Sequence, residues 1–174
     1  MTYEIRAEAR GDEATIHAVT RAAFLDVAHA DHTQQAIVDA LREDGALAIS
    51  LVAQRDGRVV GHVAVSRVTT AGGQVAGWYG LGPISVLPEC QRQGIGSSLM
   101  RAALSELHQR GAAGCILVGD PAYYGRFGFG PAAPLVFPSV PPVCFQAVAN
   151  RGEVPAGTVQ YHAAFDARAR DERP

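Results

Sequence analysis

From Leu87 to Met100 the chain reads LPECQRQGIGSSLM, a run whose residue types and spacing suit the capture of an anion. Pro88 has no N–H to give a β-ladder, so it helps end the apolar stretch before it. Behind the glycines an amphipathic helix is expected, with Ile95, Leu99, Ala103 and Leu107 on one face. A helix start leaves its first backbone N–H groups unpaired and carries partial positive charge, and a phosphate complements both. Gly94 and Gly96 lack the β-carbons that would hold a ligand's oxygens off those amides. Gln91, Arg92 and Gln93 offer side-chain donors, and Ser97 offers a hydroxyl. The stretch reads as a pyrophosphate cradle, against the plainer reading of a tight turn that only joins strand to helix. Two other phosphate loops are excluded. A Walker A loop needs G-K-[ST], and a dinucleotide fingerprint needs a third glycine where this chain has Leu99.

The remaining reactive side chains form no constellation. Cys90, Cys115 and Cys144 make no C-x-x-C pair, and the six histidines are scattered, so no metal is expected. Each cysteine reads as a small inert hydrophobe, Cys90 as a solvated loop residue, and their scatter suits a reducing cytoplasm. All 15 basic residues are arginine, which excludes a lysine nucleophile. A net charge of -2 gives no global field for nucleic acid or an anionic membrane. No segment approaches the roughly 18 apolar residues of a membrane span, and the N-terminus shows no long apolar leader.

These groups need a scaffold. With 48% hydrophobic and 18% charged residues in 174, the chain reads as one folded domain. TYEIRAEA alternates like a strand, and Asp12 is placed to cap a helix through Ile16, Val19 and Ala23. HTQQAIVDALRED predicts a second helix that stops at Gly45. ALAISLVAQ and VVGHVAVSRV predict strands joined by an Asp56-Gly57 hairpin, and TAGGQ a further turn before a strand from Val75 to Val86. After the central helix come a short apolar strand, CILVG, and a short helix over AYYGRF. A proline-rich connection, two strands (CFQAVAN and TVQYHAAFD) and a polar tail follow. Hairpins combined with one β-α-β crossover predict a mixed sheet with helices on its faces.

VLPECQRQGIGSSL resembles the acyl-coenzyme A motif of the GNAT acetyltransferases, Q/R-x-x-G-x-G/A, with Gln91, Gly94 and Gly96 at its defining positions. LVGDPAYYGRFGF and YHAAFD resemble later segments of the YhbS-type branch of that family, so the likeness spans nearly the whole chain. The resemblance implies an α+β fold: a mixed, mostly antiparallel sheet with helices on both faces. It also implies two central strands that splay to admit the pantetheine arm of acetyl-CoA. Residues 1–130 would carry that core and 131–166 a C-terminal strand extension. Backbone groups of Ile84, Ser85 and Val86 would then hold pantetheine, and the loop Gln91, Arg92, Gln93, Gly94, Ile95, Gly96 and Ser97 the pyrophosphate.

The implied reaction is transfer of acetyl from acetyl-CoA to a primary amine by direct attack, with both substrates bound. Tyr124 matches the family's acid for the leaving thiolate, with aromatic packing as its other reading. Tyr123 reads as core or acceptor wall, and Arg126 as either a phosphate contact or a surface residue. A general base is missing: the fourth strand carries no carboxylate, and Gln34 and Gln35 stand where relatives often have an acid. His62 and Asp120 remain, His62 chiefly as a structural histidine and Asp120 equally as a helix cap. The missing carboxylate motivates the alternative of a non-catalytic acyl-CoA-binding module. The expected partners are acyl-CoA and an amine, with no nucleic acid or membrane, and a homodimer is left open.

Overall fold

The computed structural model describes residues 2–28, 30–72 and 76–167. Val75, the 73–74 part of the TAGGQ turn and residues 168–174 of the tail lie outside the described residues. Strand β1 (Glu4–Ala7) leads to helices α1 (Glu13–Phe24) and α2 (Gln34–Glu43). Strands β2 (Leu47–Arg55) and β3 (Arg58–Arg67) form the expected hairpin. Asp56 and Gly57 both adopt positive φ, +50° and +77°, as a two-residue turn matched to strand twist requires. Next come β4 (Thr69–Thr70), β5 (Trp78–Val86), α3 (Ile95–Gln109) and β6 (Gly114–Val118). Helix α4 (Pro121–Tyr124), β7 (Gly130–Pro131), β8 (Leu135–Val136), β9 (Phe145–Ala149) and β10 (Gly157–Gln160) complete the order.

Seven strands form the main sheet in the order β1-β2-β3-β5-β6-β9-β7. Every neighbouring pair is antiparallel except β5 and β6, which run parallel across the α3 crossover. Strands β4, β10 and β8 make a small second sheet. Side chains alternate across β3, which sorts the helices. Gly61 faces Leu99 and Ile95 of α3. Its neighbour His62 pairs with Ser85, whose hydroxyl meets Thr20 of α1. Helices α1 and α3 therefore cover opposite faces. Ile95, Leu99, Ala103 and Leu107 are all buried, so α3 lays its whole apolar stripe on the sheet and its start is fixed in space.

Two local expectations change. Asp12 occupies the residue before α1 but makes no cap bond, because its carboxylate turns back to accept from the Ala9 N–H and the Arg6 guanidinium. The strand expected over TVQYHAAFD ends at Gln160. His162 then caps a 3-10 turn over Ala163–Asp166, placing Ala164 against Ile37 and Leu41 of α2.

Candidate active site

The central seam is incomplete. Strands β5 and β6 pair only over Trp78–Gly80 with Gly114–Ile116, and beyond Gly80 β5 runs on without β6. On its other side β5 stays joined to β3, with a bulge: Val63 faces Ile84 while Val65 faces Leu81. The Leu87 N–H donates to the Val60 carbonyl on β3, and alternation then aims the backbone of Ile84 and Val86 into the gap. The Val86 carbonyl accepts from the Gln91 side chain at 3.1 Å. Ser85 is turned from the gap, against its sequence expectation: its hydroxyl meets Thr20 Oγ1 at 3.2 Å, and by the same alternation its backbone groups face β3 opposite His62.

The glycine loop stands at the open end of this gap. Gly94 has φ +85°, a left-handed turn that opens α3, and Arg92 also adopts positive φ, +57°. The first intrahelical bond runs from the Ser98 N–H to the Gly94 carbonyl, and among the described residues the N–H groups of Ile95, Gly96 and Ser97 have no acceptor. Around Gly96 a β-carbon would find only the Tyr123 hydroxyl, at 3.6 Å, and Val86 Cγ2, at 3.7 Å. The glutamines brace the loop from behind: Gln93 donates to the Glu89 carbonyl and accepts from Arg55. On the far side the Tyr3 hydroxyl bonds Ser98 Oγ at 2.8 Å.

Cys90 corrects its sequence reading. It is 7% exposed, turned into the core by the 3-10 turn Pro88–Cys90 and packed under Arg55, so it is not a solvated loop residue.

Both tyrosines of α4 face this region, by different routes. Asp120 accepts from the Ala122 N–H at 2.9 Å and so caps α4, the structural half of its sequence reading. The Tyr124 ring lies flat against Gly119 at the end of β6, where any β-carbon would overlap it. Burial, with Tyr123 and Asp120 beside it, pushes the Tyr124 hydroxyl up to about 12, so it keeps its proton near neutrality. Tyr123 meets Tyr124 edge-on at 4.9 Å between centroids and carries its hydroxyl to the loop beside Gly96. Sequence reading missed that Tyr3 and Tyr123 frame the cradle. Both reach it through tertiary packing, for which no local pattern is a signal.

His62 is fully buried on the α1 face. Ser50 donates to Glu8, so His62 Nε2 must donate to Ser50 Oγ, at 2.8 Å, and Nδ1 is left a bare acceptor without a partner. Burial lowers its pKa to about 4, which keeps the ring neutral near pH 7. Burial also works against the Glu8 charge, but bonds from Arg42 and Ser50 outweigh it and hold that carboxyl below its usual range. Ser50, Glu8 and Arg42 thus join His62 in one network on that face, with Nδ1 its unpaired atom. β5 itself carries no carboxylate, and among the described residues no group of His, Cys, Asp or Glu could hold a metal ion.

Residues 4–132 match the family model described as an acetyltransferase (GNAT) domain. The chain is 39% identical over 130 residues to an uncharacterized N-acetyltransferase of Escherichia coli K12, YhbS, covering 74% of each protein. It is 32% identical over 125 residues to a second uncharacterized N-acetyltransferase of that strain, YjhQ, covering 71% of this chain and 67% of that one. Among solved structures, a GNAT family acetyltransferase from Brucella melitensis in complex with acetyl-CoA is 47% identical, with a TM-score of 0.85. That match covers 95% of this chain and 99% of the other. Escherichia coli YhbS in complex with CoA is 33% identical with a TM-score of 0.83, covering 95% and 92%.

Proposed function

The chain belongs to the GNAT acetyltransferase family, and from that premise we propose how it works as an acyl-CoA-dependent N-acyltransferase. Its co-substrate is acetyl-CoA, which supplies an activated acyl group on a thiol leaving group. The observation that carries the reading is one coincidence. The gap-facing backbone of Ile84 and the Val86 N–H, which have no β6 partner, and the unpaired amides of Ile95, Gly96 and Ser97 converge at the same end of β5. The first suits the amides of a pantetheine arm and the second a pyrophosphate.

In this reading Gly94 and Gly96 keep β-carbons out of the phosphate position, and Arg92 adds positive charge. Gln91 and Gln93 brace the loop, where sequence alone suggests ligand donors. Tyr124, held protonated by its buried seat on Gly119, donates to the departing thiolate. The acceptor is a primary amine of a small molecule or protein, bound together with acetyl-CoA and attacking directly. With no carboxylate on β5 and His62 buried in its network, the amine's proton passes to water. Residues 1–174 act as one domain, with 1–130 as the coenzyme core and 131–166 adding strands. Three free cysteines fit a reducing, cytoplasmic setting.

Tyr124→Phe tests the assignment. Its kcat with a panel of primary amines falls roughly 10²-fold, while the calorimetric Kd for acetyl-CoA stays within about twofold, since the ring and its packing remain. Unchanged kcat removes Tyr124 from the acid role. Failure of the unaltered protein to bind acetyl-CoA overturns the reading as a whole.

A further inference from the structure

We infer that the protein selects its coenzyme by the ribose 3′-phosphate, through two guanidiniums, Arg101 and Arg126, seated on the aromatic pair Tyr123 and Phe127. The inference rests on the coenzyme reading above and adds a specificity determinant to it. The pair is tied to the cradle by the Tyr123 hydroxyl beside Gly96. The Tyr123 and Phe127 rings meet edge-on, 5.5 Å between centroids. The Arg126 guanidinium lies 4.6 Å from the Tyr123 centroid, and that of Arg101 lies 5.4 Å from the Phe127 centroid. One aromatic unit thus carries a cation on each ring.

Both cations are oriented and neither is neutralised. Arg126 Nε donates to the Tyr123 carbonyl at 2.9 Å, which leaves both terminal nitrogens of its fork to point elsewhere. Arg101 stands four residues after Ser97 on α3, one turn along the same face from the cradle. Arg6, Arg42, Arg58 and Arg110 each meet a carboxylate, but among the described residues Arg101 and Arg126 meet none. An exposed arginine held by ring faces and a carbonyl gives up rotamer freedom before any ligand arrives, so an anion gains donors already in place.

Position decides which anion. The first turn of α3 is the pyrophosphate seat, and the coenzyme's one remaining anionic group is the monoester phosphate on the ribose that the pyrophosphate carries. A phosphate monoester is a near-dianion at neutral pH and accepts the planar fork of arginine well. Dephospho-coenzyme A is identical except for that group, so it isolates the contact.

The test is calorimetric titration of the full chain with coenzyme A and with 3′-dephospho-coenzyme A. The unaltered protein prefers coenzyme A by at least about tenfold, as expected for charge-assisted bonds at a partly exposed site. In Arg101→Gln and Arg126→Gln the preference shrinks several-fold, and in the double variant it approaches one. The affinity for the dephospho form stays within about twofold throughout, which separates the lost phosphate contact from any disturbance of the rings. Arg92→Gln weakens both ligands alike, because its loop serves the pyrophosphate. Coenzyme A binding with no preference, or a preference that survives both substitutions, overturns this inference while leaving the proposed function intact. Absence of binding by either compound overturns both.

Discussion

Burial tunes two side chains here with different consequences. For Tyr124 it raises the pKa, and the hydroxyl remains a proton donor throughout the neutral range. For His62 it lowers the pKa from 6.5 to about 4, and the effect is on stability. Between those values the unfolded chain binds a proton that the folded protein refuses. Unfolding free energy therefore falls as pH drops from 6.5 toward 4, by about 3 kcal/mol in all. Urea unfolding from pH 7 down to about pH 4.5 measures this slope. His62→Gln, which cannot take up a proton, flattens it. Glu8 loses its own contribution as pH falls below its usual carboxylate range, so the upper part of the interval isolates the histidine. A slope unchanged in His62→Gln would assign the acid sensitivity to other groups.

At the scale of elements, α3 separates two uses of glycine. Gly94 holds a left-handed turn, so Gly94→Ala costs about 1–2 kcal/mol of stability, read as a lower unfolding midpoint. Gly96 has ordinary contact room for a β-carbon. Gly96→Ala leaves the midpoint nearly unchanged while acetyl-CoA affinity drops, because the added methyl occupies the phosphate position. Equal effects on stability from both would mean that the loop serves only as a turn.

The same helix shows what sequence can convey. Its apolar repeat, the Asp56-Gly57 turn and the short run of β6 are local patterns, and each element formed where its pattern lies. The glycine turn that opens α3 at Gly94 and Gly96 was legible because a helix start has a direct physical meaning, whereas Gln91, read as a ligand donor, turns to the Val86 carbonyl. The splayed seam was not legible from pattern. Its end at Gly80 depends on which residues pair across strands about 35 positions apart in the chain, a property of register, and it was expected only through the family resemblance. Cys90 and Asp12 were misread for a related reason. A polar-looking loop turned into the core, and a capping residue found a stronger partner in Arg6. Arg101 becomes conspicuous only once the Phe127 ring, from another part of the chain, lies beneath it, next to the Tyr123 ring that carries Arg126.

At the scale of the whole molecule, the short seam divides the sheet into two leaves, β1-β2-β3-β5 and β6-β9-β7, joined by three residue pairs at one end. A continuous ladder would spread strain from edge to edge, whereas here the leaves share a spine at Trp78–Gly80 and part beyond it. Under the proposed function, a chain of amides laid into the opening would serve as a substitute rung as well as a substrate, and would couple the twist of one leaf to that of the other. Hydrogen exchange reads this directly. In the free protein the gap-facing amides of Ile84 and Val86 exchange faster than their β3 neighbours, and saturating acetyl-CoA slows them together with amides of β6. Slowing confined to the glycine loop would mean that the leaves were already rigid. Slowing on both means that each catalytic cycle stiffens the molecule on binding and loosens it on release, so that loss of product is also the re-opening of a half-closed sheet.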